Sequence, residues 1–308
     1  MKVSVILATC NAENYICETL RHIQNQTYKD FECVIVDDES TDSTIDLAIN
    51  QFCKLDCRFK ILINTTTGCE KYSYIHNYMY SYTDADLVIH LDADDIPCSN
   101  LVETFVTYMV NNQDVDACCC RINILTETNN TWVVAPYDCD AQCDNTYMFH
   151  TPNRAEDEMF NKFPSYQIIS NGAVFNNQCF IFRPERLKLL IDGGVKFQKS
   201  TPFADYVFWM TAIAHGATLK KISDPLLYWR NHASSASHKS VLDDSNIVGK
   251  YNFYYARLLC IRFARRVDPK VLQEEENYTV RTLRYCREYA HNMMQEQLIP
   301  DIYNQQIY

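Results

Sequence analysis

The chain has 308 residues, 47% hydrophobic and 22% charged, with only 6 Gly and 9 Pro. That make-up is ordinary for a globular protein and excludes a linker-rich or collagen-like one. The net charge is -11, from 39 acidic against 28 basic residues, so the basic footprint of a general nucleic-acid binder is missing. The 15 Cys are scattered and form no C-x₂-C pair, which fits neither a zinc site nor a small secreted disulfide framework. A reducing compartment and a cytoplasmic location are expected. Met1–Leu7 starts a strand at once and lacks the apolar length of a signal peptide. No apolar run is long enough to predict a transmembrane helix.

In chain order, Val3–Ala8 is an apolar, β-branched run bounded by Thr9-Cys10-Asn11, and reads as a buried strand. Glu13–Gln26 has helical spacing through Tyr15, Thr19, Leu20 and Ile23. Phe31–Val36 is a second buried strand, closed by Asp37-Asp38. Ser40-Thr41-Asp42 offers N-cap chemistry for a helix through Ile45, Leu47, Ala48, Ile49 and Phe52. A third strand (Phe59–Ile63), a helix over Tyr72–Tyr82 and a fourth strand (Leu87–Leu91) follow. Ser99 then caps a helix through Leu101, Val102, Phe105 and Met109. Strands alternating with helices predict an α/β fold, a mostly parallel sheet flanked by helices.

Further on, Ala117–Leu125, Trp132–Ala135 and Phe175–Arg183 read as strands. Pro184–Ile191 is a short helix, and Phe203–His215 a longer one with Gly216 at its C′ position. Leu219–Ile222 and Leu226–Trp229 read as two closing strands. From Asp243 the chain turns to long helices, Tyr251–Arg266 and Val280–Gln297. The first is basic. It suits packing on the α/β domain, a homodimer contact, or peripheral attachment to an anionic membrane.

The chemistry concentrates at strand ends. The fourth strand runs into Asp92, Asp94 and Asp95. Anions this close raise one another's pKa unless a cation sits among them. Asp92 and Asp94 point the same way from an extended backbone. Oxygen-only ligands suit Mg²⁺ or Mn²⁺, and Mg²⁺ typically brings a phosphate. By themselves the three suit a solvated turn equally well. Ligands on open α/β sheets bind outside the carboxyl ends of the strands. Thr9-Cys10-Asn11, Asp37–Ser40 and Asp92–Asp95 all fall on that edge.

Five stretches carry a family resemblance. They are Val3–Asn11, Gln26–Glu32, Val36–Asp42, Leu91–Asp95, and Ala204–Trp209 taken with Tyr228–His232. In this order and spacing the chain resembles the inverting glycosyltransferases of family 2, nucleotide-sugar-dependent enzymes of the Rossmann-like GT-A fold. The match is dense over 1–110 and patchier over 170–238, and it says nothing of 243–308. It implies a nucleotide-sugar-binding half at 1–115 and an acceptor-binding half of the same domain at 116–240, and the helical spacing marks a C-terminal extension at 241–308. It also implies Mn²⁺ or Mg²⁺, a donor of UDP type, and a glycan or lipid-linked acceptor. By the resemblance Ala8, Asn11 and Glu13 line the nucleotide pocket and Asp38 binds the base, usually uracil. Asp92 faces ribose or metal, Asp94 holds the metal on the diphosphate, and Asp205 is the general base. Lys71 and His76 are candidate phosphate or base contacts, and Arg230 and His232 candidates for the diphosphate or metal.

The chain departs from the family where Ala8 and Cys10 replace Pro and Tyr, Glu39 a common Gly, Ala204 an acid and His76 an Arg. The expected reaction is a metal-assisted single displacement. An acceptor hydroxyl needs a positioned base, and Asp205, beside Tyr206, Phe208 and Trp209, would be partly desolvated and raised in pKa. An ordinary helix N-terminal acid is the alternative for Asp205, as a helix cap is for Asp37–Ser40. A catalytically inactive binding or assembly module remains as an alternative function. A nucleotidyltransferase would want a Gly-rich phosphate loop, which Ala8-Thr9-Cys10-Asn11 lacks.

Overall fold

The computed structural model describes residues 1–63, 84–128, 131–134, 179–192, 208–209, 212–213, 215–232, 258 and 261. The strands are β1 (Val3–Thr9), β2 (Phe31–Asp37), β3 (Phe59–Ile63), β4 (Leu87–Asp92), β5 (Ile96–Pro97), β6 (Ala117–Thr128), β7 (Thr131–Val134), β8 (Cys179–Phe182) and β9 (Leu219–Asn231). The helices are α1 (Ile16–Gln24), α2 (Thr44–Ala48, continuing as a π-helical turn Ile49–Cys53), α3 (Leu101–Asn111) and α4 (Pro184–Asp192). Among the described residues the strands form one sheet in the order β3-β2-β1-β4-β8-β6-β9-β5, with β7 paired to β6.

The sheet is parallel from β3 to β4, as the alternation of strand and helix predicts. Beyond β4 it is mixed. β8 runs antiparallel to β4 and β6, β9 parallel to β6, and β5 and β7 are antiparallel additions. So the parallel character belongs to the first half and does not extend across the sheet. No helix separates β6 from β7, so hairpin geometry takes over there.

Central strands are buried on both faces, which is why they read as continuous apolar runs. Val3, Val5 and Leu7 join Leu87, Ile89 and Leu91 in a core on one face. Helix α1 covers that face through Ile16, Thr19, Leu20 and Ile23, at the i, i+3, i+4, i+7 spacing of one helical stripe. Leu101, Val102, Phe105 and Met109 of α3 complete it. The cross-sheet row Ile6–His90–Phe180–Cys119 faces the other way. Trp209 packs edge-on to Phe180 there, 5.0 Å between ring centres. Trp209 and Trp229 are both buried, so both serve the core.

Gln26 is fully buried and braces two elements. Its Nε2 donates to the Cys98 carbonyl (2.7 Å), and its Oε1 accepts from the Val102 N–H (3.0 Å). The expected helix at 203–215 is helical at residues 208, 209, 212 and 213, His215 is in a turn, and Gly216, at φ 91°, ends it. Gly216 N–H bonds to Ile213 O and Ala217 N–H to Ala212 O, the two bonds of a Schellman cap. Leu219–Asn231 is one strand where two were expected. Ile222 opposes Cys120 and Pro225 opposes Arg121, so Ser223 and Asp224 bulge out of the ladder. The bulge accommodates Pro225, which has no N–H to give. The buried cysteines Cys33, Cys118, Cys119, Cys120 and Cys179 pack as small hydrophobes. The helices expected at 72–82 and beyond 243 lie outside the described residues, apart from Leu258 and Ile261, both helical and buried.

Candidate active site

The site lies at the carboxyl ends of β1, β2 and β4, where β9 also ends. Register fixes its floor: Ala8 sits between Val36 of β2 and Asp92 of β4, and Thr9 opposes Asp37. The Asp38 N–H donates to the Thr9 carbonyl (2.9 Å), extending the β1–β2 ladder by one rung. Asp38 itself is buried, at 2% exposure.

The two loops that leave β1 and β2 are laced together. Asn11 N–H donates to Ser40 Oγ (2.9 Å), and Asn11 Oδ1 accepts from Thr41 N–H (2.8 Å). Glu13 N–H donates to Asp42 Oδ2 (3.1 Å), while Glu13 Oε2 accepts from Ser43 N–H (3.0 Å). Asp37 Oδ2 takes the Ser40 N–H (3.0 Å). Asn11 and Glu13 therefore spend hydrogen-bonding capacity on the neighbouring loop. Ser40 caps no helix: the residue before α2 is Ser43, and Asp42 Oδ1 accepts from Thr44 N–H (3.0 Å). Asn11 and Glu39 adopt positive φ, 51° and 60°. Asn tolerates that region, whereas Glu carries strain there.

Beyond β4 the chain turns at once, with the Asp95 N–H directed at the Asp92 carbonyl. Asp92, Asp94 and Asp95 each offer an oxygen within 4.8 Å of the others. Asp95 is fully buried; its Oδ1 accepts from the Arg230 N–H (3.0 Å), and its Oδ2 has no hydrogen-bond partner. Burial pushes the Asp95 carboxyl well above the ordinary range, and repulsion from Asp94 and Asp92 adds to it. Burial also raises Asp92, opposed by its hydrogen bond and charge contact with His90. The His90 Nε2 is 3.3 Å from Asp92 Oδ1, and its ring stacks on Phe180.

These observations fit a divalent cation. The donors are all hard oxygens, one buried oxygen lacks a partner, and their spread suits one ion with bonds of roughly 2.0–2.5 Å. His232 adds a nitrogen, its Nε2 lying 3.0 Å from Asp94 Oδ2. Asp95, which the sequence leaves as the least prominent of the three acids, is the most deeply set.

Part of the site has no signature in the sequence. Tyr15, Glu18 and Thr19 sit on one face of α1 or just before it. The Thr19 hydroxyl meets the Ala93 and Asp95 carbonyls at 2.9 and 2.8 Å. Glu18 pairs with Arg230. Tyr15 lies against His232, 4.6 Å between ring centres, and under the Arg230 guanidinium at 5.3 Å. The family resemblance singles out Arg230 and His232, and nothing local in the sequence ties Tyr15, Glu18 or Thr19 to them. Lys71, His76 and Asp205 lie outside the described residues.

The profile of Glycosyl transferase family 2 matches residues 4–177, more than half of the chain. The chain belongs to glycosyl transferase family 2. It is 24% identical over 271 residues to the bifunctional glycosyltransferase pgtA of Dictyostelium discoideum, an alignment that covers 84% of this chain but 35% of that protein. An uncharacterised glycosyltransferase of Haemophilus influenzae is 28% identical over 240 residues, covering 76% of this chain and 67% of its own. Among solved structures, S. aureus TarS 1-349 in complex with UDP-GlcNAc superposes with a TM-score of 0.58 at 18% identity, over 99% of this chain and 83% of that one. The mannosyltransferase PcManGT of Pyrobaculum calidifontis, in complex with GDP-Man and Mn²⁺, gives 0.54 at 15% identity, over 95% and 74%. The family 2 chain thus has the GT-A fold, a mixed sheet flanked by helices. Among its described residues no helix is long and apolar enough to cross a membrane.

Proposed function

We propose that this chain transfers a sugar from a nucleotide sugar, UDP-linked, to a hydroxyl of a glycan or lipid-linked acceptor, by metal-assisted single displacement with inversion. The observation that carries the reading is the Asp92–Asp94–Asp95 group at the carboxyl edge of the sheet, with its buried, unpartnered Asp95 oxygen. Family membership and solved relatives that hold UDP, UDP-GlcNAc, or GDP-Man with Mn²⁺ support it.

In this reading Asp94, Asp92 and Asp95 hold Mn²⁺ or Mg²⁺, with His232 beside them. When bound, the ion supplies Lewis-acid neutralisation of the leaving diphosphate. Ala8 and Asp38 line the pocket for base and ribose, with the laced loops of Asn11 and Glu13 as its walls. Lys71 and His76 contact the phosphates or base. Asp205 takes the proton of the acceptor hydroxyl as it attacks from the opposite side of the sugar ring. Residues 1–115 serve the donor, 116–240 the acceptor, and 241–308 a separate packing, dimer or peripheral-membrane role.

A thermal-shift panel of UDP- and GDP-sugars, with and without Mn²⁺, tests the donor assignment. A UDP-sugar should give the largest Mn²⁺-dependent stabilisation, followed by UDP release once an acceptor is supplied. Binding with no turnover on any acceptor would instead identify an inactive binding module.

A further inference from the structure

Beyond the acids themselves, the cluster on β9 and α1 has a role to assign. The turn after β4 is tied down carbonyl by carbonyl. Thr19 meets the Ala93 and Asp95 carbonyls, and Arg230 Nη1 donates to the Asp94 carbonyl between them (2.6 Å). The Arg230 main-chain N–H holds the Asp95 carboxylate (3.0 Å). One residue thus grips two consecutive acids, one by its side chain and one by its backbone. Its guanidinium is 1% exposed and reaches back to Glu18, itself 54% exposed, passing over Tyr15 on the way.

A cation buried beside a proposed cation site is a liability by charge alone. The Arg230 guanidinium pairs with Glu18. Glu18 thereby offsets part of that charge, while the planar fork fixes the Asp94 peptide and its field reaches Asp95. A Lys could not do both, because only the guanidinium presents two donors in a rigid plane.

We propose that Arg230 is a positioning residue: with Glu18 and Tyr15 behind it, it presets the Asp94–Asp95 turn in the geometry that accepts the divalent cation. This rests on the metal reading of the acidic group. Helix α1 begins just after the Cys10–Tyr15 loop, so the same helix that bounds the nucleotide loop also sets the metal turn. Groups that orient metal ligands from behind are typically worth about 10–100-fold in metal affinity.

Charge and positioning predict opposite signs, which makes the test sharp. The probe is Mn²⁺ alone, titrated into the 308-residue chain by calorimetry and by loss of the free-ion paramagnetic resonance signal. Removing a neighbouring positive charge should tighten Mn²⁺ if Arg230 acts only through its charge. We expect Arg230→Gln to weaken Mn²⁺ about tenfold or more, and Arg230→Lys to recover only part of the loss. Arg230→Lys keeps the charge yet should still weaken Mn²⁺ by about threefold or more, and it decides the matter if Arg230→Gln does not fold; Tyr15→Leu should also weaken Mn²⁺, through Arg230 and through the His232 ring it packs against. The Glu18→Gln, Arg230→Gln double variant should bind no worse than Arg230→Gln, because the two act as one unit. Mn²⁺ binding unchanged or tighter in Arg230→Gln, or unchanged in Arg230→Lys, overturns the role of Arg230. A wild-type chain that takes up no Mn²⁺ overturns the metal reading itself, a different result from a wild type that binds and variants that bind equally.

Discussion

The His232 imidazole and the Asp94 carboxylate meet at 3.0 Å across 138 residues of sequence, with the Tyr15 ring packed against the imidazole. The Nε2 that faces Asp94 is also the atom that would face an ion held there. Hydrogen bond and metal coordination therefore compete for one nitrogen. His232→Ala should weaken Mn²⁺ binding by about tenfold while leaving the fold intact, since the residue follows β9 and does not lie within it. Calorimetry on this variant gives the answer, and an unchanged Mn²⁺ affinity would remove His232 from the site.

The base assignment is tested apart from the metal. Asp205→Asn should bind UDP and Mn²⁺ as the wild type does, yet lose transfer by about 10²–10⁴-fold, the usual contribution of a positioned base. Single-turnover assays beside equilibrium binding separate the two. Normal transfer in this variant would rule Asp205 out.

The raised carboxyls give the site a pH signature. Asp92 and Asp95 hold protons in the folded, metal-free protein at pH values where the unfolded chain has lost them. In that window the folded state binds more protons, so these two groups make the metal-free protein less stable as pH rises. Mn²⁺ needs both carboxylates ionised, so its binding must displace protons at the acid end and none at the alkaline end. The rise in melting temperature caused by Mn²⁺ should therefore grow between about pH 5 and about pH 7. A rise that is the same at both pH values would mean that these carboxyls do not hold the ion.

Glu39 offers a stability test of the strand-end loop. It is exposed and held at φ 60°, where the family commonly has Gly. Glu39→Gly should stabilise the protein by about 0.5–1 kcal/mol, the balance of relieved strain against a looser unfolded chain. Asn11→Gly should do the opposite, because the Asn11 side chain holds Thr41. Urea unfolding of the two variants compares them directly, and a destabilised Glu39→Gly would show that the side chain matters more than its backbone.

What the sequence revealed follows from how far apart the interacting residues stand. Strands β1 to β4 were legible because each is a short apolar run closed by a polar cluster, and parallel pairing delivers those clusters to one edge. The acids could be read as a group because they are neighbours in the chain. Glu18 and Arg230 could not, being 212 residues apart with nothing local to link them. Asp95 looked peripheral, yet β9 buries it by supplying the Arg230 N–H. Asn11 and Glu13 look like ligand contacts in isolation, and their partners Thr41 and Ser43 come into view only once β1 and β2 are paired. Leu219–Ile222 and Leu226–Trp229 read as two strands, whereas a bulge at Ser223 and Asp224 lets one strand run through.

The central claim is that the Asp92–Asp94–Asp95 group holds a divalent ion on the donor diphosphate. Its most direct test is calorimetry of UDP binding to the wild type and to Asp94→Asn, each with and without Mn²⁺. The account predicts that Mn²⁺ tightens UDP binding to the wild type by about tenfold or more, and that Asp94→Asn loses this gain while keeping its metal-free affinity. Equal Mn²⁺ dependence in the two proteins would contradict it.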